Sequence, residues 1–143
     1  AAEQAERRQP QVDQVGLLGQ IVEVTHPFLD IGQVADAFDG DKGTLIRTLE
    51  ANPLNLMLVF EEAVELRSVT AWLGNARSAI RVEVIDDQGR HYQFEGFDAG
   101  NEALHPVRLD FGQILTITSI HLSLESLDEK EPAHVHLWDV VFE

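Results

Sequence analysis

Residues 79–96 read AIRVEVIDDQGRHYQFEG, and this stretch is the clearest indication of the fold class. Apolar residues occupy every second position from Ile80 to Val84, and a second alternating segment begins at His91. Between them, the sequence DDQG at 86–89 supplies residues that tight turns favour. The pattern predicts a β-hairpin in which each strand buries one face.

The same two-residue period recurs along most of the chain. Further strands are predicted at 17–24, 54–60, 68–73, 107–111, 114–124 and 134–142. In 114–124 the apolar phase slips by one position between Ile117 and Ile120, which predicts a bulge near Thr118 or Ser119. Residues 33–38 favour one helical turn. About seven or eight strands at roughly ten-residue spacing, without βα alternation, predict an all-β antiparallel sandwich of Greek-key or jelly-roll type.

The charge and composition exclude several classes of function. The chain has 143 residues, 25 acidic and 10 basic, and a formal net charge of −15. This charge repels phosphate backbones and anionic lipids, which argues against nucleic-acid and membrane-surface binding. No apolar run approaches the ~18–20 residues of a membrane helix, so membrane insertion is not expected. The absence of cysteine excludes disulfides, thiolate metal sites and cysteine nucleophiles.

The N-terminal segment differs from the rest of the chain. Residues 1–14, AAEQAERRQPQVDQ, contain no segment able to build a core, and Pro10 ends the helix that the preceding residues favour. We expect a linker or flexible lead-in here, the alternative being a tether to an upstream domain or membrane segment. Residues 15–143 are predicted to form one globular domain.

No motif of enzymatic catalysis occurs in the sequence. Neither Gly-x-Ser-x-Gly nor His-Glu-x-x-His is present. Two facing carboxylates would suffice for glycoside hydrolysis, but with 25 acidic residues some pair lies close by chance. His134 and His136 share one strand face, although no third zinc ligand is evident and a surface pair is favoured. We therefore expect a protein that is not an enzyme.

Residues 36–44, DAFDGDKGT, combine three carboxylates, one hydroxyl and two glycines. Glycine permits tight turns that bring oxygens together, and calcium takes about six to eight oxygen ligands. An EF-hand is excluded because Thr44 occupies the sixth loop position, where glycine is required. From this segment alone, a calcium loop and an Asp-Gly turn whose side chains cap their own backbone are equal alternatives.

The run Ala37-Phe38-Asp39-Gly40-Asp41, followed by Thr44, resembles a signature of the galactose-binding-domain-like superfamily. That superfamily includes the discoidin (coagulation-factor C-type) domains and many bacterial carbohydrate-binding modules. Segments 54–60, 64–74, 81–94, 117–126 and 136–143 are similar to strands of the family, so the resemblance covers roughly 15–143. Where the family usually has tryptophan, two residues after the threonine, this chain has Ile46.

The resemblance implies a jelly-roll β-sandwich with a structural calcium ion that ties the first loop to the last strand. The metal residues carried over are Asp36, Asp39, Asp41, Thr44, Trp138 and Asp139. Asp39 offers its carboxylate and Thr44 its hydroxyl and carbonyl, while Asp139 matches an acidic position near the C-terminus. The remaining residues offer mainly backbone carbonyls.

Family sugar sites lie on loops at one end of the sandwich and combine an aromatic platform with Arg, His or Asn donors. Segments 74–78 and 96–106 are predicted to be such loops. The candidate ligand-binding residues are Arg47, Asn52, Asn75, Arg77 and Phe97. For each polar candidate taken singly, an ordinary surface ion pair or a turn residue is the favoured interpretation.

Two functions are expected from the resemblance. The first is a non-catalytic accessory module that binds a neutral saccharide or glycan. The second is a structural or protein-interaction domain of the same fold, without sugar binding, that contacts other domains of a larger extracytoplasmic or membrane protein. A concave loop surface with an exposed aromatic and converging Arg or Asn favours the first, and a flat acidic loop end favours the second. The extracytoplasmic location is implied by the resemblance alone.

Overall fold

The computed structural model describes residues 9–49, 51–128 and 134–143, most of which lie in ten β-strands. These are β1 (Gln11–Leu17), β2 (Gln20–His26), β3 (Leu29–Ile31), β4 (Ile46–Thr48), β5 (Leu54–Leu73), β6 (Ser78–Asp86), β7 (His91–Asp98), β8 (His105–Ser126), β9 (His136–Leu137) and β10 (Asp139–Phe142). A 3₁₀ helix at Val34–Phe38 confirms the helical turn predicted there. In the described part of the chain, no helix has the length and apolar character needed to cross a membrane.

The strands form antiparallel sheets that make up a β-sandwich. The large sheet has the order β1-β2-β5-β8-β6-β7, with β10 also pairing with β5, and a small sheet has the order β3-β4-β9. β5 and β8 pair along most of their length, with two register shifts. On the other edge of β5, β2 pairs with its first half and β10 with its second half. Both long strands belong to the large sheet, and bulges such as theirs bend a strand.

One hydrophobic core lies between the layers. Its largest fully buried side chains include Ile46, Leu54, Leu56, Leu58, Leu73, Ile117, Ile120, Leu122, Leu124 and Leu137. Phe60 and Phe111 are buried, and Phe38 and Phe94 lie half-buried against the core. Removal of apolar surface from water, worth about 25 cal/mol per Å², is the main stabilising contribution of this core.

The structure confirms the hairpin and the bulge. β6 and β7 pair antiparallel across the predicted turn. In β8, Ser119 pairs with Val59 while Ile117 pairs with Val64, so Thr118 is left out of the ladder. The slip in the apolar phase therefore marked a real interruption of the register.

Several predicted strand boundaries are wrong. Segment 17–24 crosses the turn at Leu18 and Gly19, two residues with positive φ that separate β1 from β2. Residues 11–14, assigned to the lead-in, already belong to β1, whereas residues 1–8 lie outside the described part of the chain. The segment predicted at 134–142 is interrupted at Trp138.

Four predicted strands are in fact halves of two long ones. Segments 54–60 and 68–73 both belong to β5, and segments 107–111 and 114–124 both belong to β8. A bulge shifts the phase of the alternation without ending the strand, so each long strand was divided at its irregularity.

One end of the sandwich gathers the loops that matter for function. Leu73 at the end of β5 pairs with His105 at the start of β8, and Ser78 at the start of β6 pairs with Asp98 at the end of β7. We call this region the loop end; it comprises residues 39–45, 74–77 and 99–104. The sandwich supplies a rigid base for these loops.

Candidate functional site

Residues 39–45 connect the 3₁₀ helix to β4 and fold around the hydroxyl group of Thr44. Thr44 Oγ1 lies 2.9 Å from Asp39 Oδ2, 3.0 Å from the Asp41 carbonyl oxygen and 3.3 Å from the Asp36 carbonyl oxygen. A hydroxyl has a single proton to donate, so it cannot satisfy all three acceptors at once. The loop therefore gathers hard oxygen atoms around one point, an arrangement suited to a cation such as calcium.

The carboxylates of this loop are partly used by its own backbone. Asp36 Oδ2 accepts the Gln33 amide at 2.9 Å, and Asp41 Oδ1 accepts the Gly43 amide at 2.7 Å. Asp39 Oδ1 accepts the Asp41 amide at 2.8 Å. These bonds are those of an Asp-Gly turn, but they leave Asp39 Oδ2 and the carbonyl oxygens of Asp36 and Asp41 directed at Thr44. The turn and the predicted ligand arrangement therefore coexist.

Asp139, the first residue of β10, is completely buried next to this loop. Neither of its carboxylate oxygens has a hydrogen-bond partner among the described residues. Burial raises the pKa of the Asp139 carboxyl above its usual range, and the Asp39 carboxylate adds to this shift. The nearby amides of Gly40 and Val140 and the Lys42 ammonium act against it. An unpaired buried carboxylate is costly, and a bound cation would remove that cost.

Two tryptophans lie beside Asp139. Trp72 on β5 is its cross-strand partner, and the Trp72 carbonyl accepts the Trp138 amide at 3.1 Å. Trp138 lies between β9 and β10, and its ring covers Gly74 so closely that a Cβ there would lie 2.8 Å from a ring carbon. Lys42 Nζ lies 4.5 Å from the centroid of the Trp72 ring. The loop is thus held against the start of β10 by aromatic contacts as well as by backbone bonds.

Histidine and carboxylate side chains do not assemble a metal cluster in the part of the chain that the structure describes. A cation held by residues 36–44 and Asp139 would therefore depend on carbonyl and hydroxyl oxygens as much as on carboxylates. His134 and His136 gain no third ligand there: His134 Nδ1 faces the Thr48 carbonyl at 3.1 Å, and the His136 ring stacks on Trp138.

Two predicted ligand residues, Arg47 and Asn52, are engaged within the protein. Arg47 on β4 forms a two-bond ion pair with Asp30 on β3, with Nε 2.9 Å from Oδ1. This bond keeps the pKa of the Asp30 carboxyl below its usual range. The Asn52 side chain bonds both the amide and the carbonyl of Ser126, each at 2.9 Å. The ion pair of Arg47 agrees with the interpretation favoured for it from the sequence, whereas the bonds of Asn52 to Ser126 were not predicted.

The structure brings Asn75 and Arg77 together at the loop end. Residues 74–77 lie against residues 99–104, where the Asn101 amide donates to the Gly74 carbonyl at 3.2 Å. Gly100 has a φ of +84°, and a Cβ there would overlap the carbonyl oxygen of Asn75. Arg77 is exposed and donates one bond, at 3.1 Å, to the Leu127 carbonyl.

Phe97 is the exposed aromatic side chain of the described residues, with 64 % of its surface accessible. It projects from β7 opposite Ala79 on β6. Next to it, a shallow groove of about 340 Å³ is lined by Pro53, Ala79, Ile80, Arg81, Glu95, Gly96, Ser123 and Glu125. Arg81 Nη2 lies 3.3 Å from Glu95 Oε1 across this groove. The exposed ring of Phe97 is therefore adjacent to a groove that has polar walls and contains Arg81.

His105 at the start of β8 was not identified from the sequence. Its Nδ1 lies 3.0 Å from the Ala103 carbonyl oxygen, and its Nε2 lies 2.9 Å from Asp98 Oδ2. The hydrogen bond to Ala103 and the charge of Asp98 raise the pKa of His105 above its usual value. The ring thereby closes loop 99–104 onto the end of β7.

No protein-family model and no curated protein matches this sequence. Solved structures do match. The CBM32 of AlyQ in complex with 4,5-unsaturated mannuronic acid is 15 % identical with a TM-score of 0.62, covering 92 % of this chain and 98 % of that one. The family 32 CBM of C. perfringens NanJ in complex with galactose is 16 % identical with a TM-score of 0.59, covering 83 % of this chain and 92 % of that one. Chitosan-binding module 1 from a Paenibacillus sp. IK-5 chitosanase/glucanase is 14 % identical with a TM-score of 0.59, covering 98 % of this chain and 97 % of that one.

Proposed function

We infer that the antiparallel β-sandwich of this chain is the galactose-binding-domain-like fold, which its similarity to solved carbohydrate-binding modules supports. We propose that the chain is a non-catalytic carbohydrate-binding module that takes a saccharide beside Phe97, at the end of β7 that leads into the loop end. The observation that carries this proposal is the exposed Phe97 ring, which lies opposite Ala79 next to a polar groove that contains Arg81. An aromatic face packs against the C–H face of a pyranose ring, and arginine and amide groups donate to hydroxyls that lose water on binding.

The charge of the chain favours a neutral saccharide or glycan. The net charge of −15 disfavours polyanionic ligands at long range. The groove also presents Glu95 and Glu125, which accept hydrogen bonds from hydroxyl groups. The neighbours named above are described as bound to galactose, bound to an unsaturated mannuronic acid, or chitosan-binding, which supports saccharide as the ligand class.

A structural calcium ion is part of the same proposal. The residues present fit it, because both buried oxygens of Asp139 lack a hydrogen-bond partner among the described residues and the adjacent loop directs three further oxygens at Thr44 Oγ1. Asp139, Asp39 and Thr44 would hold the ion, with the carbonyls of Asp36 and Asp41. The ion would neutralise the buried charge and link the loop to β10. It would take no part in chemistry, but it would stabilise the base of the loop end.

The proposed module acts within a larger extracytoplasmic protein, where its partners are the other domains. Two of its structural neighbours are named as parts of larger proteins, one a chitosanase/glucanase, which supports the accessory role. In such a role the module would increase the local concentration of a catalytic or membrane domain at a glycan surface.

The proposed function is tested by screening the calcium-supplemented protein on a glycan array and measuring the affinity of each hit by calorimetry. Phe97→Ala should weaken binding by at least tenfold, since it removes the stacking surface. Ile114→Ala is the matched control: Ile114 is 56 % exposed but lies near the middle of β8, outside the groove and the loop end. Binding that Phe97→Ala leaves unchanged would contradict the proposed site. Silence across the array would favour the alternative, a structural or protein-interaction domain.

A further inference from the structure

Lys42 is a positive charge built into the proposed calcium loop. It follows Asp41 directly in the sequence, and its ammonium group lies 4.5 Å from the centroid of the Trp72 ring. A cation over an indole ring is attracted to the negative face of the ring. Because Trp72 is the cross-strand partner of Asp139, this contact keeps the ammonium near the buried carboxylate.

The charge of the buried carboxylate is offset in part by the nearby backbone amides of Gly40 and Val140 and in part by Lys42. Both oxygens of Asp139 lack a hydrogen-bond partner among the described residues, and the neighbouring side chain of Asp39 is negative. Lys42 is the positively charged side chain that acts on Asp139. Without a metal ion, the ammonium of Lys42 therefore takes over part of the role that a divalent cation would have.

We propose that Lys42 is an internal competitor of calcium, which stabilises the metal-free loop and weakens calcium binding. This inference rests on the calcium site proposed above. The two effects have one cause: the charge that compensates Asp139 in the metal-free protein repels a divalent ion that enters the same oxygen set. Lys42 thereby sets the calcium concentration at which the loop is loaded.

The test is a comparison of wild type and Lys42→Gln by thermal melting in EDTA and by calorimetric titration with calcium chloride. In EDTA, Lys42→Gln should melt at a lower temperature than wild type. In the titration it should bind calcium about tenfold more tightly, of the order expected for one unit charge and a divalent ion several ångströms apart near the surface. Tenfold in Kd corresponds to about 1.4 kcal/mol.

Two control variants separate this effect from a general change in charge. Lys42→Arg keeps the charge and the contact with Trp72, so both measurements should stay at the wild-type values. Arg67→Gln removes a positive charge from an exposed position on β5 and should leave calcium affinity within about twofold. Equal calcium affinity in wild type and Lys42→Gln would overturn the role of Lys42 while leaving the calcium site intact. Absence of calcium binding in every variant, wild type included, would overturn both.

Discussion

Replacing Asp139 by Asn should change the stability of the protein in opposite directions with and without calcium. The substitution keeps the shape of the side chain but removes a charge that is fully buried and has no hydrogen-bond partner among the described residues. In EDTA the charge only costs free energy, because burial opposes ionisation, as the raised pKa of Asp139 indicates. We therefore expect Asp139→Asn to be more stable than wild type in EDTA.

The size of the effect follows from the cost of burying an uncompensated polar or charged group. That cost is about 1–3 kcal/mol, and part of it remains because Asn is also polar, so the expected gain is about 1–2 kcal/mol. For a chain of this length, 1 kcal/mol shifts the melting temperature by about 2–4 °C. A calcium concentration about 100 times Kd stabilises wild type by about 2.7 kcal/mol, and the variant should lose that response. Wild type should therefore be the more stable protein in calcium.

The assay is scanning calorimetry of both proteins in EDTA and in saturating calcium. Asp87→Asn, which removes an exposed carboxylate from the β6–β7 turn, serves as the control and should behave as wild type in both buffers. The reasoning would be refuted if Asp139→Asn melted below wild type in EDTA, or if it kept the wild-type calcium response.

Two further predictions concern the loop end. The pKa of His105 is raised in the folded protein, so the stabilisation by its charge is fully present below the unfolded value near 6.5 and is lost as the pH rises through the raised pKa. The difference in melting temperature between wild type and His105→Gln should therefore shrink from pH 6 to alkaline pH. A difference that stays constant with pH would show that the charge of His105 does not contribute. Gly100→Ala should destabilise the protein by about 1–3 kcal/mol in denaturant titrations, because a Cβ would meet the Asn75 carbonyl and φ is +84°. Gly89 has a φ of +77° but open space around it, so Gly89→Ala adds only backbone strain and should destabilise the protein less.

Local patterns explain why much of the fold was predictable. The β6–β7 hairpin and the bulge at Thr118 follow from alternation within a few residues, which burial of one strand face imposes. β1 was not predicted because only Val15 of its seven residues is buried, so its sequence shows almost no alternation of apolar and polar residues. In β8, Gly112 with a φ of +74° resembled a strand end in the sequence, but the strand continues through an irregularity.

The candidate site shows the same division between local and long-range information. The oxygens around Thr44 come from one short segment, so the sequence was enough to group them. The partners of Arg47 and Asn52 could not be identified from the sequence because they are distant: Asp30 is 17 residues away and Ser126 is 74 residues away. Which loop donors remain available to a ligand depends on such contacts, and no local pattern encodes them.

The most direct test of the proposed function is an amide NMR titration of the ¹⁵N-labelled, calcium-supplemented protein with a series of neutral saccharides. We predict saturable shifts for at least one saccharide, concentrated at residues 74–78 and 95–98 around Arg77 and Phe97. Shifts confined to another face would contradict the site. No shifts with any saccharide would contradict the carbohydrate-binding function itself.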